Sequence, residues 1–201
     1  VRRCAEFNNT VRKYEDDLLL CARLRNVIVH ESKRDYLIAE PCADITQLIC
    51  HVADLLSRPP KLSVLKEKNV TGIDGDATLA DALMRVSATN YSNLPVYRKG
   101  HMIGILNNRR IVRAMGQALE RGEDMDEFLQ TRCENALHEE DLRRFYRILG
   151  RNDTVQEAID AFEDNRKLLA VVVTEDGTVG DKIVNLLTSA DLPMLIRILE
   201  E

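Results

Sequence analysis

One pattern of residues is written twice in this chain, and that repetition constrains the fold more than any other feature. The first version is an apolar strand (94–97), a tight turn at Lys99-Gly100, a second strand (102–106), and a helix opening at Asn107 or Asn108. Gly100 supplies the positive φ that a short hairpin turn needs. Asparagine at the strand exit is a good helix cap, because its side-chain oxygen accepts from backbone N–H groups that lack partners. The second version is a strand over 168–174, a turn beginning at Glu175-Asp176-Gly177, a returning strand over 182–187, and a helix capped by Thr188 or Ser189. A helix precedes each hairpin, and each carries a capping-box spacing: Thr78 with Asp81, Thr154 with Glu157. Residues 70–73 and 145–149 read as the first strand of each version. The order strand, helix, strand, strand, helix therefore recurs after about 75–80 residues, an internal repeat.

The residues Asp-Ala-Thr-Leu-Ala-Asp-Ala-Leu from Asp76, then Leu-Pro-Val-Tyr from Leu94 and Gly-Ile-Leu from Gly104, resemble the CBS domain. So do Asp-Thr-Val-Gln-Glu-Ala-Ile from Asp153, Ala-Val-Val-Val from Ala170, and Leu-Leu-Thr-Ser-Ala-Asp from Leu186. Two copies in tandem resemble a CBS pair, or Bateman module. The resemblance implies an α/β fold of two tandem CBS domains, each β-α-β-β-α, with an N-terminal α-helical hairpin. The expected division is a helical dimerisation segment over 1–60, one CBS domain over 61–125 and the other over 126–201.

Ahead of the repeat, Phe7, Val11, Tyr14, Leu18, Cys21, Leu24, Val27 and Ile28 recur in steps of three and four. This predicts one amphipathic helix over 1–32. A second is predicted over 44–56, with Ile45, Leu48, Ile49, Val52 and Leu55 buried and Asp44 as cap. Pro59-Pro60 ends it, since neither proline can donate a backbone hydrogen bond. A hairpin of this size is too small to bury a sufficient core alone. Homodimerisation through it is the expectation. The chain starts at Val1 in an already helical pattern, so residues upstream are expected too.

Hydrophobic residues at 45% and charged residues at 30% describe an ordinary globular chain, and the net charge of −5 gives no general attraction to DNA. No apolar run approaches the roughly 18–20 residues of a membrane span, and the first residues lack the apolar core of a secretory signal. The five cysteines are odd in number and contain no Cys-x-x-Cys, which fits free thiols in a reducing cytoplasm. The four histidines show no metal-ligand spacing, so no metal site and no obligatory cofactor are expected. Phosphate-loop, nucleophile-elbow and zinc-protease motifs are absent.

Two constellations remain. CBS domains that bind adenosine nucleotides resemble one another in a Gly-apolar-x-Thr/Ser-x-x-Asp element, where the hydroxyl and helix N-terminal amides suit a phosphate and the carboxylate accepts from the ribose. The second copy has Asn185-Leu-Leu-Thr188-Ser-Ala-Asp191, with Asn185 in place of glycine and expected to crowd the approach. The first has Gly104-Ile-Leu-Asn107-Asn-Arg-Arg110, where Arg110 cannot accept from a ribose but could grip phosphate, as could Arg109 and Arg113. The bland reading makes Thr188 a helix cap with Asp191 in its first turn.

The other constellation, Arg25-Asn26-Val-Ile-Val-His30, resembles the Arg-x4-6-His motif of HEPN domains, some of which are metal-independent ribonucleases. That resemblance implies His30 as acid or base, Arg25 stabilising phosphorane charge and Asn26 orienting phosphate. On a straight helix, Arg25 and His30 fall about 140° apart. They converge only at a helix end, at a bend, or across two subunits. The expected function is a cytoplasmic regulatory protein whose CBS pair binds an adenine nucleotide as a regulatory ligand. The alternatives are a CBS-gated ribonuclease, the only reading with an RNA partner, and a structural dimerisation module with neither site active.

Overall fold

The computed structural model describes residues 1–31, 39–137 and 144–200, without the side chains of His30 and Glu31. The chain divides into two compact units. One is Val1–Pro60 with the C-terminal residues from Arg197; the other is Lys61–Ile196.

The first unit is helical. In place of the single helix expected over 1–32 there are three: α1 (Arg2–Ala5), α2 (Asn9–Lys13) and α3 (Glu15–Glu31). The break has a local cause. Asn8 takes an extended conformation and its Oδ1 accepts from the Val11 amide at 2.9 Å, which starts a new helix. Helix α4 (Ala43–Ser57) starts after Cys42, which makes no side-chain cap, rather than at Asp44. Of the expected apolar stripes, Val11 and Val52 are buried, whereas Phe7 is 84% exposed and Val27 and Ile49 are also open to solvent. Tyr14 meets His51 edge-on, with Oη and Nε2 3.5 Å apart.

The second unit carries the repeat. Its first copy contains β1 (Ile73–Asp74), α5 (Leu79–Thr89), β2 (Asn93–Arg98), β3 (His101–Asn107) and α6 (Asn108–Glu120). After α7 (Met125–Leu129), the second copy contains β4 (Tyr146–Gly150), α8 (Val155–Asp164), β5 (Ala170–Thr174), β6 (Ile183–Leu187) and α9 (Leu192–Ile198). Each sheet has three strands, the first parallel to the second and the second antiparallel to the third. The register slips at the same place in both hairpins, after Val96 and after Val173. Both predicted capping boxes form, at Thr78 and at Thr154. The first hairpin turns on Lys99 and Gly100, with φ of 51° and 84°, the paired positive values of a two-residue turn.

The copies are bound by an exchange of lead-in segments. The stretch before β1 lies on the second copy: Leu62 donates to the Asp153 carbonyl at 2.8 Å and Lys68 to that of Val184 at 3.1 Å. The stretch before β4 lies on the first copy, where Cys133 donates to Ala77 and Glu134 to Gly75. Met102, Ile105, Tyr146, Ala170, Val172 and Ile183 form a core between the copies. The opposite face of the first sheet packs Ile73, Leu94, Val96 and Leu106 with Leu79, Ala82 and Ile111 from its helices, and with Cys133. Burial, with help from nearby Asp81 and Asp74, pushes the Cys133 thiol up to about 11, so it stays protonated. Burial on both faces explains why β5 reads as an unbroken Ala-Val-Val-Val.

Candidate functional site

The exchange of lead-in segments creates two clefts between the copies, each combining the end of a third strand from one copy with the lead-in and the helix-to-strand loop of the other. The cleft at the end of β6 has a volume of about 360 Å³. Thr188, Asp191 and Leu186 line it from the second copy, and Lys68, Val70 and Tyr91 from the first. Thr188 caps the turn leading into α9. The Asp191 carboxylate closes that turn through Oδ2, which accepts from the Thr188 amide at 2.8 Å and its hydroxyl at 3.2 Å. The other oxygen, Oδ1, accepts from Lys68 Nζ at 2.9 Å.

Burial alone would raise the Asp191 carboxyl, but the Thr188 amide and the Lys68 ammonium outweigh it and hold it below the usual carboxylate range. A folded value below the unfolded one means that the unfolded chain takes up the proton first as pH falls. The stabilisation is therefore complete above the ordinary carboxylate range and lost as pH drops through the lowered value. Urea midpoints of the wild type and of Asp191→Asn should differ by a constant amount near neutrality and converge below about pH 3–4. A gap that widened in acid would refute this assignment.

Asn185, expected to crowd the approach, is absent from the lining of this cleft. It is buried, and its Nδ2 donates to the Lys66 carbonyl at 3.0 Å, clamping the lead-in segment. Its counterpart Gly104 serves the same crossing by vacancy: a Cβ there would lie 2.7 Å from Leu137 of the other lead-in. The glycine position of the motif thus seats the exchanged segment in both copies.

Asn107 and Arg110 line the other cleft, of about 580 Å³. They and Asp191 therefore do not surround one ligand site. Asn107 is buried. Its Oδ1 caps α6 by accepting from the Arg109 amide at 3.1 Å, and its Nδ2 donates to Asn93 Oδ1 at 2.9 Å. Tyr146 of the second copy donates to the same Asn93 oxygen at 3.2 Å. Arg110 lies over the Phe145 ring, 5.1 Å from its centroid.

The Arg25 motif sits in the first unit. Arg25 Nη1 donates to Asn26 Oδ1 at 3.2 Å on an exposed surface. Helix α3 continues through Glu31. The His30 side chain itself lies outside the described residues. Among the described residues no group of three or more His, Cys, Asp or Glu could hold a metal ion, and no helix is long and apolar enough to cross a membrane.

Sequence reasoning missed Lys68 and Tyr91, the residues that the first copy contributes opposite Asp191. Nothing local marks Lys68. It reaches Asp191, far along the chain, only because the lead-in crosses to the other copy.

A family model for the CBS domain matches residues 52–117. No curated protein matches the sequence significantly. Three solved structures share the fold. A candidate acetoin utilization protein, AcuB, from Vibrio cholerae is 16% identical over 70% of this chain and 93% of its own, with a TM-score of 0.53. CBSX2, solved with AMP, is 12% identical over 71% of this chain and 99% of its own, with a TM-score of 0.53. The CBS domain of the bacterial CNNM/CorC family Mg2+ transporter, solved with ATP, is 19% identical over 77% and 97%, with a TM-score of 0.50. At these identities the likeness is one of fold. Together with the internal repeat, it shows the fold of two CBS-like units in tandem.

Proposed function

We propose that this chain is a cytoplasmic regulatory protein whose tandem CBS module binds an adenine nucleotide in the cleft of Thr188 and Asp191. The module is taken as residues 61–125 and 126–201, and residues 1–60 as a homodimerising helical segment that transmits the bound state. One observation carries the reading: a carboxylate, a hydroxyl and an ammonium converge at the lip of a cleft of nucleoside size. The Asp191 carboxylate is the acceptor for ribose hydroxyls, Lys68 the counter-ion for phosphate, and Tyr91 the flat surface for a base. AMP and ATP in the complexes of CBSX2 and the CNNM/CorC CBS domain support the ligand class.

Signalling requires that the nucleotide bind two arrangements of the module unequally, since only differential affinity shifts a conformational equilibrium. Nucleotide oxygens would compete with Asp191 for Lys68, and that exchange gives a source of difference. Exposed apolar side chains on the helical unit, Phe7, Val27 and Val29 among them, support a second copy packing there.

Thermal melting against AMP, ADP, ATP and S-adenosylmethionine tests the reading. A ligand at one hundred times its dissociation constant adds about 2.7 kcal/mol to native stability. At least one should raise the midpoint, and Asp191→Ala should abolish the shift. No shift across the panel would overturn the nucleotide reading. RNA cleavage in EDTA that disappears in His30→Ala would then favour the ribonuclease with Arg25, Asn26 and His30, its motifs paired across two subunits.

A further inference from the structure

The larger cleft is related to the Asp191 cleft by the internal repeat, yet its charge is reversed. We propose that it binds a small organic polyanion, held by its phosphate or carboxylate groups and not by a ribose diol. Arg109, Arg110, Arg113 and Lys167 all line it, and no Asp or Glu occurs among its described lining residues. Among the described residues, no carboxylate is ion-paired with Arg109, Arg113 or Lys167. Cations converging on a concave wall repel one another and raise the local positive potential, and a multivalent anion relieves both. Guanidinium groups suit this work, because their planar forks match phosphate and carboxylate oxygens in pairs.

Volume and floor point to an organic ligand rather than a bare ion. About 580 Å³ lies within the range of ordinary small-molecule sites. Ile105, Ile111, Leu169 and Phe145 give the cleft an apolar wall on which a ligand body can rest. Arg110 already lies against the Phe145 ring, so the cationic and apolar walls meet. The carboxylate that would anchor a ribose diol is missing from the described lining residues. Arg110 occupies the repeat position of Asp191, and a guanidinium offers donors but no acceptor for ribose hydroxyls.

Isothermal titration of the full chain with tripolyphosphate and with citrate tests the site and separates the phosphate from the carboxylate source. At least one probe should bind with one-to-one stoichiometry and weaken steeply with added salt. Arg109 and Arg113 are exposed, so their joint replacement leaves the core intact. The double variant Arg109→Ala/Arg113→Ala should lose at least tenfold in affinity. The surface control Arg85→Ala should bind as the wild type does. The proposal is overturned if neither probe binds at millimolar concentration, or if Arg85→Ala weakens binding as much as the double variant does. It is equally overturned if affinity is lost in Asp191→Ala and kept in the arginine variant. None of these outcomes bears on nucleotide binding at Asp191, which the melting experiment decides separately.

Discussion

Asn107→Asp should destabilise the protein by about 3–4 kcal/mol, more than Asn107→Ala, although aspartate is as good a helix cap as asparagine. The reason lies on the other side of the side chain. Asn107 is 4% exposed and faces two ways: its oxygen caps α6, while its amide donates to Asn93 Oδ1 and, at 3.3 Å, to the Ser92 carbonyl. Aspartate keeps the cap but turns a buried negative oxygen toward two acceptors, so the donor is replaced by repulsion. Alanine loses the cap, worth about 1 kcal/mol, and leaves Asn93 one donor short, but Tyr146 still donates to it. About 2 kcal/mol is expected there.

The pH dependence separates this account from simple loss of packing. A buried carboxyl facing acceptors has its folded value raised above the unfolded one, so the folded form gains the proton first as pH falls. Once protonated, the side chain can donate to Asn93. The deficit of Asn107→Asp should therefore shrink between pH 7 and pH 4, while that of Asn107→Ala stays level. Urea denaturation at both pH values measures it. A milder effect for Asp than for Ala at pH 7 would show that this network is not what Asn107 serves.

The same residue shows what the sequence does and does not reveal. That Asn107 caps a helix is legible, because a cap is a local device between neighbours in the chain, and Thr78 and Thr154 form their expected boxes for the same reason. The hairpins are legible too, since short apolar runs and a glycine turn are written within a few residues. What Asn107 does with its amide is not, because Asn93 and Tyr146 come from a neighbouring strand and from the other copy. Lys68, Gly104 and Asn185 take their roles from the exchange of lead-in segments, a long-range arrangement with no periodic signature. The N-terminal stripe misled for a related reason: steps of three and four continue across Asn8, but a cap resets the helix that the period assumes to be unbroken.

Gly72→Ala is expected to be as damaging, at about 3 kcal/mol, for a single methyl group added beside the first strand. A Cβ at Gly72 would stand 2.2 Å from Tyr97 Cε2 and 2.6 Å from the Pro95 carbonyl oxygen. Neither distance is tolerable, and the two obstacles yield differently. The half-buried Tyr97 ring packs at the edge of the core between the copies and can be moved only by loosening that core. The Pro95 carbonyl is fixed by β2, where Pro95 is aligned with Ile105. Overpacking of this kind typically costs 1–3 kcal/mol and more where backbone must shift. For a unit of this size, about 3 kcal/mol lowers the melting midpoint by roughly 6–12 °C. A double-mutant cycle with Tyr97→Ala divides the loss between ring and carbonyl. Gly72→Ala should cost roughly half as much in the Tyr97→Ala background, because only the carbonyl remains in the way. Strict additivity would mean that the ring is not the obstacle. Full rescue would mean that the strand backbone yields, and the rigid registration of β1 against β2 would then have to be abandoned.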